Sequence, residues 1–265
     1  MIYGMYLSTM GAMVQSQRHA TISNNLANTN TNGFKPDWSV FKEVPVENVF
    51  HPDRSLQWDR ILMNTGGGVW NETTMTNLKP GPLQETGNPL DVALHDEQGS
   101  GKTSFFMVRP DRPDAPIYYS RDGHFVPDQN GILRNLAGDM VLGPAGEPIN
   151  VTAPDNSAIG VSDEGFIVAN NQDGNFVLGQ IGVMRTADMH DMVKVGDNVF
   201  WADGAEMENY QAGVKGGYIE MSATNAIEEM VNMIEASRIY ETNMRFLTIQ
   251  DEQLGNAVRR IAQRV

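Results

Sequence analysis

The longest periodic pattern of apolar residues lies at the end of the chain, in residues 222–265. It predicts one long helix that starts at Asn225, because Glu228 follows three residues later in a variant of the capping box. At 1.5 Å per residue this helix is about 60 Å long. Apolar residues recur along one side with steps of three and four from Met244 onward, which is a heptad pattern. The pattern is formed by Met230, Ile234, Met244, Leu247, Leu254, Val258, Ile261 and Val265.

A second helix is predicted at the opposite end, in residues 3–27. An isolated helix is marginal in water. We therefore expect this helix to pair with the terminal one as a coiled coil and to bury its Met and Tyr side chains there. The alternative is an ordinary amphipathic helix packed on a globular core. The side with the three–four spacing carries Tyr3, Tyr6, Met10, Met13, Gln17, Ala20 and Asn24.

The middle of the chain, residues 81–221, has the pattern of an all-β domain. Short apolar or alternating runs begin with Leu90–Leu94 and end with Val199–Trp201, and they include Phe105–Val108 and Phe176–Val183. Asn-Gly and Asp-Gly turns lie between several of them. Such turns are typical of hairpins, so we expect a sandwich or irregular barrel. Residues 36–80 show no sustained period. They are interpreted as an extended linker with a short strand or two, anchored by its aromatic residues, or else as a poorly ordered linker.

These patterns together predict an α+β protein in which N- and C-terminal helices pair as a coiled coil and a central all-β domain is inserted between them. The predicted boundaries are residues 1–35 for the first helix and the turn after it, 36–80 for the linker, 81–221 for the β-domain and 222–265 for the last helix.

Composition and charge narrow the possible partners. The formal net charge is −14, the two terminal segments together carry +1, and residues 36–221 carry −15. Nucleic-acid binding needs a basic face, so no nucleic-acid partner is expected. No apolar run approaches the roughly 20 residues that span a bilayer. The start of the chain also lacks the basic and apolar regions of a cleaved secretory signal.

No motif predicts catalysis, a cofactor or a metal. Gly101-Lys102-Thr103 imitates the end of a phosphate-binding loop, but the preceding glycine and the following helix are missing. Asp128–Gly131 and Asp173–Asn175 lack the alternating acids of a calcium loop. The five histidines have no metal-site spacing, and the absence of Cys excludes disulfides and thiolate sites.

The end of the first helix is unusually rich in amides. Asn is a poor helix former, so several in succession indicate side chains that bond neighbouring chains or backbone groups, or else a frayed helix end. A turn with Gly33 and Pro36 then stops the helix. The segment Ile22–Lys35, ISNNLANTNTNGFK, closely resembles the N-terminal signature of bacterial flagellar rod and hook proteins. The residues that match are Asn24, Asn25, Leu26, Ala27, Asn28, Asn32, Gly33, Phe34 and Lys35.

The segment Asn225–Val258 resembles the terminal helix of the same family. The resemblance implies a structural subunit of the flagellar basal-body rod, whose terminal helices form the inner core and whose β-domain faces outward. It implies polymerisation with other rod proteins and copies of itself, and export by the flagellar type III apparatus without a cleaved signal. In this interpretation the apolar helix positions and the Asn-rich segment are the assembly residues.

Within the family, the stretches Val44–Val49, Asn88–Leu94 and Tyr119–Leu133 are most similar to the proximal-rod type. Residues 228–241 resemble the distal-rod type slightly more, so that type is the alternative. An alternative of a different class is a secreted β-domain that binds or hydrolyses a ligand and carries capping helices. The two classes differ in whether function survives deletion of either end of the chain.

Overall fold

The computed structural model describes residues 2–44, 67–96, 101–112, 114–152, 157–171, 174–187, 192–196, 198–204, 206–210 and 213–263. Several features predicted from the sequence fall elsewhere. Residues 45–66 of the predicted linker, which include most of the Val44–Val49 stretch, Asp173 of the Asp173–Asn175 segment, and Val265 of the heptad pattern lie outside the described residues.

The chain divides into two compact units. The helical unit comprises Met1–Ala27, Asp37–Asn77 and Asn225–Val265, and the β-rich unit comprises Asn28–Pro36 and Leu78–Thr224. The predicted α+β class, with helices at both ends and a β-rich centre, is confirmed. The turn after the first helix belongs to the β-rich unit, and much of the segment interpreted as a linker belongs to the helical unit.

The helical unit contains two long helices and one hairpin. Helix α1 spans Ile2–Ala27 and helix α2 spans Ala226–Ala262. Asn225 is the N-cap of α2, and its side chain accepts a hydrogen bond from the backbone N–H of Ile227. Strands β1 (Asp37–Glu43) and β2 (Val69–Thr76) pair antiparallel. Helix α1 packs against both α2 and this hairpin.

The β-rich unit consists of short strands joined mostly by tight turns. A strand pair β3–β18 and a pair β4–β17 connect residues far apart in sequence, and β10, β11 and β12 form a separate three-stranded sheet. The strands are β3 (Leu83–Glu85), β4 (Val92–Leu94), β5 (Thr103–Arg109), β6 (Tyr118–Ser120), β7 (Phe125–Pro127), β8 (Leu133–Asn135), β9 (Met140–Val141), β10 (Ala158–Val161), β11 (Phe166–Asn171), β12 (Gly174–Gln180), β13 (Val183–Thr186), β14 (Met192–Gly196), β15 (Val199–Ala202), β16 (Glu208–Asn209), β17 (Val214–Gly216) and β18 (Tyr218–Glu220).

Strand β5 is the centre of the largest sheet, in which it pairs with β6, β9 and β13. It is buried on both faces. The Phe106 side chain packs in one apolar cluster and meets the Phe125 ring edge-on at 5.1 Å, whereas Phe105 packs in a second cluster against Phe200. A strand covered on both sides carries a continuous apolar run rather than an alternation, which is why Phe105–Val108 was recognisable from sequence.

Some strand boundaries predicted from the sequence differ from those in the structure. The run Phe176–Val183 was predicted as one strand, but the structure divides it between β12 and β13. Gly182 separates the two strands, and a Cβ atom there would lie 2.7 Å from the Gly143 carbonyl oxygen. Only glycine permits that approach of two backbones. None of the helices in the described residues combines the length and apolarity that crossing a membrane requires.

Candidate assembly surface

Helices α1 and α2 meet through small and polar residues. The contacts recur every seven residues on α1 and run in the opposite direction on α2, so the helices are antiparallel. A Cβ atom on Gly4 would lie 2.8 Å from the Gln250 amide nitrogen, and one on Gly11 would lie 3.0 Å from that of Asn243. The two glycines therefore bring the helix backbones close together. The pairs along the interface are Gly4 with Gln250, Gly11 with Asn243, Arg18 with Glu235 at 3.7 Å, and Asn25 with Glu229.

Asn25 joins three parts of the helical unit. Its side chain is 1% exposed. The amide nitrogen donates to the Asp37 carbonyl at 2.9 Å and to Glu229 Oε1 at 3.1 Å, and its oxygen accepts from the Asp37 N–H at 3.0 Å. Burial raises the pKa of Glu229, and the hydrogen bond from Asn25 partly offsets this. One of the amides in the family signature thus bonds a backbone segment and α2 within the same chain.

The apolar side predicted for α1 does not face α2. Met13 is 68% exposed and Tyr6 is 39% exposed, while Met10 lies against Gly68 of the hairpin segment. The expectation that pairing with the terminal helix buries the Met and Tyr side chains is therefore wrong for Met13 and Tyr6 in the lone chain, whereas Tyr3 and Met10 are half-buried. The face in contact with α2 is the polar one, because the glycines at positions 4 and 11 allow an approach that larger apolar residues would prevent.

The predicted heptad positions of α2 are divided between two environments. Leu247 and Leu254 are half-buried, whereas the other five described positions are exposed. The contact with α1 passes through Asn243 and Gln250. Leu247 lies four residues after Asn243 and three before Gln250, so the half-buried leucines share the side of α2 that meets α1. Met244, one residue after Asn243, lies about 100° around the helix from that side. The exposed positions are Met230, Ile234, Met244, Val258 and Ile261.

Many large apolar side chains of the helical unit are consequently exposed, on several sides of α2. We call them together the outer apolar surface. Large exposed apolar patches mark sites that bind protein or membrane. The surface is formed by Met13 of α1 and by Ile227, Met230, Val231, Ile234, Met244, Phe246, Ile249, Val258 and Ile261 of α2.

The family-signature turn lies in the interior of the β-rich unit. Gly33 has φ +64, and a Cβ atom there would lie 2.5 Å from the Arg121 carbonyl group. Its N–H donates to the Glu220 carbonyl at 2.7 Å. Phe34 is buried beneath Lys194, whose Nζ lies 4.0 Å from the ring centroid. These contacts fix the turn between β14, β18 and the segment before β7.

Lys35 completes a buried cluster of four charges. Its Nζ donates to Glu220 Oε1 at 2.5 Å and to the Lys79 carbonyl at 2.8 Å. Glu220 Oε2 lies 3.1 Å from Arg121 Nε, and Arg121 in turn bonds Asp96 at 2.5 Å. The cluster holds two cations and two anions, so it is neutral overall. Removing one member would leave an uncompensated buried charge, which is strongly unfavourable.

The pKa of Lys35 reflects this environment. Burial is the main influence and the Arg121 cation adds to it, while Glu220 acts in the opposite direction, and the result lowers the pKa of Lys35 from 10.5 to about 8. The predicted assembly residues Phe34 and Lys35 are therefore placed inside the β-rich unit, where their contacts are within one chain.

The remaining signature residues are distributed around the helix end and the turn. Asn24 and Ala27 are exposed and Leu26 is half-buried. The Asn28 side chain accepts a hydrogen bond from Thr31 Oγ1 at 3.0 Å, and the Asn32 carbonyl accepts one from Asn198 Nδ2 at 2.7 Å.

Sequence reasoning missed the partners of these residues. Glu220 belongs to no motif, although a lone Glu between apolar residues and a helix start is an available signal. Arg121 lies in the Tyr119–Leu133 stretch, but the resemblance there did not single it out. Gly4, Gly11, Arg18 and Asn25 recur every seven residues, and this spacing is a second signal for the side of α1 that contacts α2. Because none of the four is a large apolar residue, apolar periodicity does not reveal it. Within the described ranges, no three His, Asp or Glu side chains converge as a metal site would require.

Two family models match the two ends of the chain. The model of the flagella basal body rod protein matches residues 5–35, and that of the flagellar basal body rod FlgEFG protein C-terminal region matches residues 215–260. The first segment contains Lys35 and Asn25, and the second contains Glu220 and Glu229. The Lys35–Glu220 and Asn25–Glu229 contacts therefore each join the two segments that the family models describe.

Relatives match over nearly the whole length. The chain is 32% identical to the flagellar basal-body rod protein FlgG of Buchnera aphidicola from Acyrthosiphon pisum, over 96% of this chain and 98% of that protein. It is 28% identical to the rod protein FlgF of Escherichia coli, over 94% and 95%. It is also 28% identical to the hook-basal body complex protein FlhO of Bacillus subtilis, over 99% and 100%. This chain therefore belongs to the flagellar basal-body rod protein family.

Proposed function

We propose that the chain is a structural subunit of the flagellar basal-body rod and that it polymerises with copies of itself and related rod proteins through its terminal helices. One observation carries the proposal: most of the large apolar side chains of α2 are exposed in the lone chain, while small and polar residues provide several of its contacts with α1. A chain that acts alone has no use for this arrangement, because burial of apolar surface is the main favourable term in association as in folding.

In this proposal α1 and α2 pair as an antiparallel coiled coil, held by the seven-residue repeat of small and polar contacts. Polar residues at such positions specify register at some cost in stability. The outer apolar surface then supplies the contacts between subunits. Several dozen residues of helix per subunit would distribute a mechanical load over many small apolar contacts, which suits a shaft that transmits torque.

The family resemblance also suggests that the β-rich unit faces outward in the rod and that the chain leaves the cell through the flagellar export apparatus. Within the family we favour the proximal-rod, or FlgF, type on the three stretches that resemble it. The distal-rod, or FlgG, type is the second candidate, and it is supported by the 32% identity to a FlgG protein against 28% and 26% to the FlgF proteins.

Replacement of an outer apolar residue tests the proposed function. Met244→Asp places a charge on the outer apolar surface without touching α1, so incorporation into the rod and swimming should be lost while the β-rich unit stays folded. Leu254→Asp, at a half-buried heptad position of α2, should act in the same direction. The measurement is swimming of a strain that lacks its own copy of the gene. Normal swimming of the Met244→Asp strain would show that the outer apolar surface is not at the assembly interface.

A matched control comes from the β-rich unit. Val177 is 64% exposed on β12, so Val177→Asp introduces the same charge at another exposed apolar residue. It should leave incorporation unchanged. Expression of the wild-type chain in strains that lack either the FlgF or the FlgG protein separates the two types, since each type should restore swimming only to its own deletion.

A further inference from the structure

The residues that connect the β-rich unit to the rest of the chain lie in three segments. Residues 28–36 follow α1, residues 78–82 follow the β1–β2 hairpin, and residues 217–224 precede α2. We call them the crossing segments. Tension on another part of the chain reaches the β-rich unit through them, because they are its covalent connections. Contacts among the crossing segments therefore decide whether such tension can unravel the unit.

One buried ion pair bonds all three crossing segments. The Lys35 Nζ donates to the Lys79 carbonyl at 2.8 Å and to Glu220 Oε1 at 2.5 Å. The same carboxylate oxygen accepts a hydrogen bond from the Gly81 N–H at 2.7 Å. Both charged side chains are fully buried, and hydrogen bonds away from water are electrostatically stronger than exposed ones. Water therefore cannot replace these bonds while the segments remain in place.

The first and last crossing segments lie side by side and run in the same direction. The Gly33 N–H donates to the Glu220 carbonyl at 2.7 Å, and the Ala223 N–H donates to the Phe34 carbonyl at 3.0 Å. Helix α1 precedes the first segment and α2 follows the last, so tension on the helices pulls the two segments in opposite directions along their length. Bonds between segments loaded in this way share the load and must break together, whereas bonds between segments that are peeled apart break one after another.

Both segments are also anchored in the rest of the unit. In the first segment Phe34 is buried, and the Lys35 carbonyl accepts a hydrogen bond from Lys194 Nζ on β14 at 3.0 Å. In the last segment Glu220 belongs to β18, which pairs with β3. Load that reaches the ion pair is therefore passed to paired strands on both sides.

We infer that the Lys35–Glu220 pair is a mechanical clamp that keeps the β-rich unit folded while the ends of the chain are under tension. The inference goes beyond the proposed function, because it concerns how one chain bears force and not what applies the force. A buried pair that only adds stability would protect the unit equally against force from every direction. A clamp protects it mainly against force applied through the crossing segments, and this difference can be measured.

Constant-force optical trapping of the full-length chain tests the inference. The chain has no cysteine, so two introduced cysteines define the attachment points. Asn30→Cys with Thr224→Cys applies force through the crossing segments, and Asn130→Cys with Val177→Cys applies it across the unit at two exposed sites. The lifetime of the folded β-rich unit under a given force reports its unfolding rate. It should be several times longer with the first pair of attachments.

Three substitutions show whether the ion pair is responsible. Glu220→Gln removes the anion of the clamp and should shorten the lifetime about tenfold or more with attachments at residues 30 and 224, and distinctly less with those at residues 130 and 177. Glu208→Gln, at an exposed ion pair of the same unit, should change neither lifetime. Ala223→Pro removes the N–H that bonds the Phe34 carbonyl and leaves every charge in place, so it should shorten the first lifetime on its own. Circular dichroism verifies that each variant is folded.

Equal lifetimes for the two pairs of attachments in the chain with an intact clamp would overturn the inference. An equal shortening of both lifetimes by Glu220→Gln would also overturn it, since a pair that only stabilises the fold has that effect. If Glu220→Gln does not fold, Ala223→Pro is compared between the two pairs of attachments by the same criterion. Swimming of the Met244→Asp strain has no part in this test, so failure of the clamp and failure of the proposed function are separate results.

Discussion

The two units of the molecule use apolar and charged residues in opposite ways. The β-rich unit buries two clusters of apolar side chains and a group of four charges, of which Lys35, Arg121 and Glu220 are fully buried. The helical unit exposes most of the large apolar side chains of α2, and several contacts between its helices are made by glycine and polar residues. We therefore expect the β-rich unit to be stable within its own chain and the helical unit to gain apolar burial only against other subunits.

The strongest test of this contrast is to replace one phenylalanine in each unit by alanine. Phe106→Ala removes a fully buried ring that packs on Phe125. It should lower the free energy of unfolding by about 3–5 kcal/mol, because it removes apolar burial and leaves a cavity. Urea unfolding of the full-length chain, followed by near-ultraviolet circular dichroism, measures the loss.

The matched variant Phe246→Ala removes a ring that is 53% exposed on α2. It should leave the stability of the lone chain nearly unchanged and should reduce swimming, since the ring is expected to be buried only between subunits. Equal stability losses for the two variants would contradict the contrast between the units.

The second-largest effect is expected in the buried charge cluster. Glu220→Gln keeps the shape of the side chain but leaves Lys35 and Arg121 with Asp96 as the one remaining anion of the cluster. Breaking a buried ion pair by removing one partner costs about 3–5 kcal/mol. Glu208→Gln is the control, because Glu208 contacts Lys102 and Arg185 at the surface of the same unit. Exposed pairs contribute little, so the control should unfold like the wild type.

Sequence reasoning succeeded where periodicity and burial coincide. The bounds of α1 and α2 and the central strand β5 were predictable because each carries a long apolar pattern or a cap such as Asn225. It did not predict which sides of the two helices face each other. Apolar heptads mark the surface that needs a partner but not which partner covers it. In this chain the glycines at positions 4 and 11 decide which sides of the helices meet.

The charge cluster was not predictable for a different reason. Lys35 lies 185 residues from Glu220 in sequence, and the contact depends on the register of the β3–β18 pair. The resemblance to the rod and hook family singled out Lys35 as a matched residue without showing that it is buried. Strands of two or three residues, such as β16 and β18, are too short for an alternation of apolar and polar residues to be recognised in the sequence.

A smaller effect is expected at the helix end. Asn25→Leu preserves volume but removes the bonds to both backbone groups of Asp37 and to Glu229. Leaving buried polar groups unsatisfied costs about 1–3 kcal/mol. Hydrogen exchange of the Asp37 amide should become faster. Asn24→Leu, a change at the exposed neighbouring residue, is the control. If the two variants exchange alike, the bridging role of Asn25 is refuted.

The smallest predicted effect is a pH dependence from Lys35. Its pKa is about 8 in the folded chain against 10.5 as the ordinary value. Between these values the unfolded chain holds more protons than the folded chain, so the free energy of unfolding rises with pH. Below pH 8 both states are protonated and the contribution is constant. From pH 8 to pH 9 the rise should be about 1 kcal/mol.

Lys35→Met separates this contribution from every other group that titrates in the same range. The variant lacks the ammonium group, whereas the tyrosines and the exposed lysines titrate in both chains and cancel in the comparison. Its unfolding free energy should therefore rise less steeply between pH 8 and pH 10 than that of the wild type, whatever its absolute stability. Parallel slopes would mean that Lys35 keeps its ordinary pKa, and that its pairing with Glu220 balances the effect of burial and of Arg121.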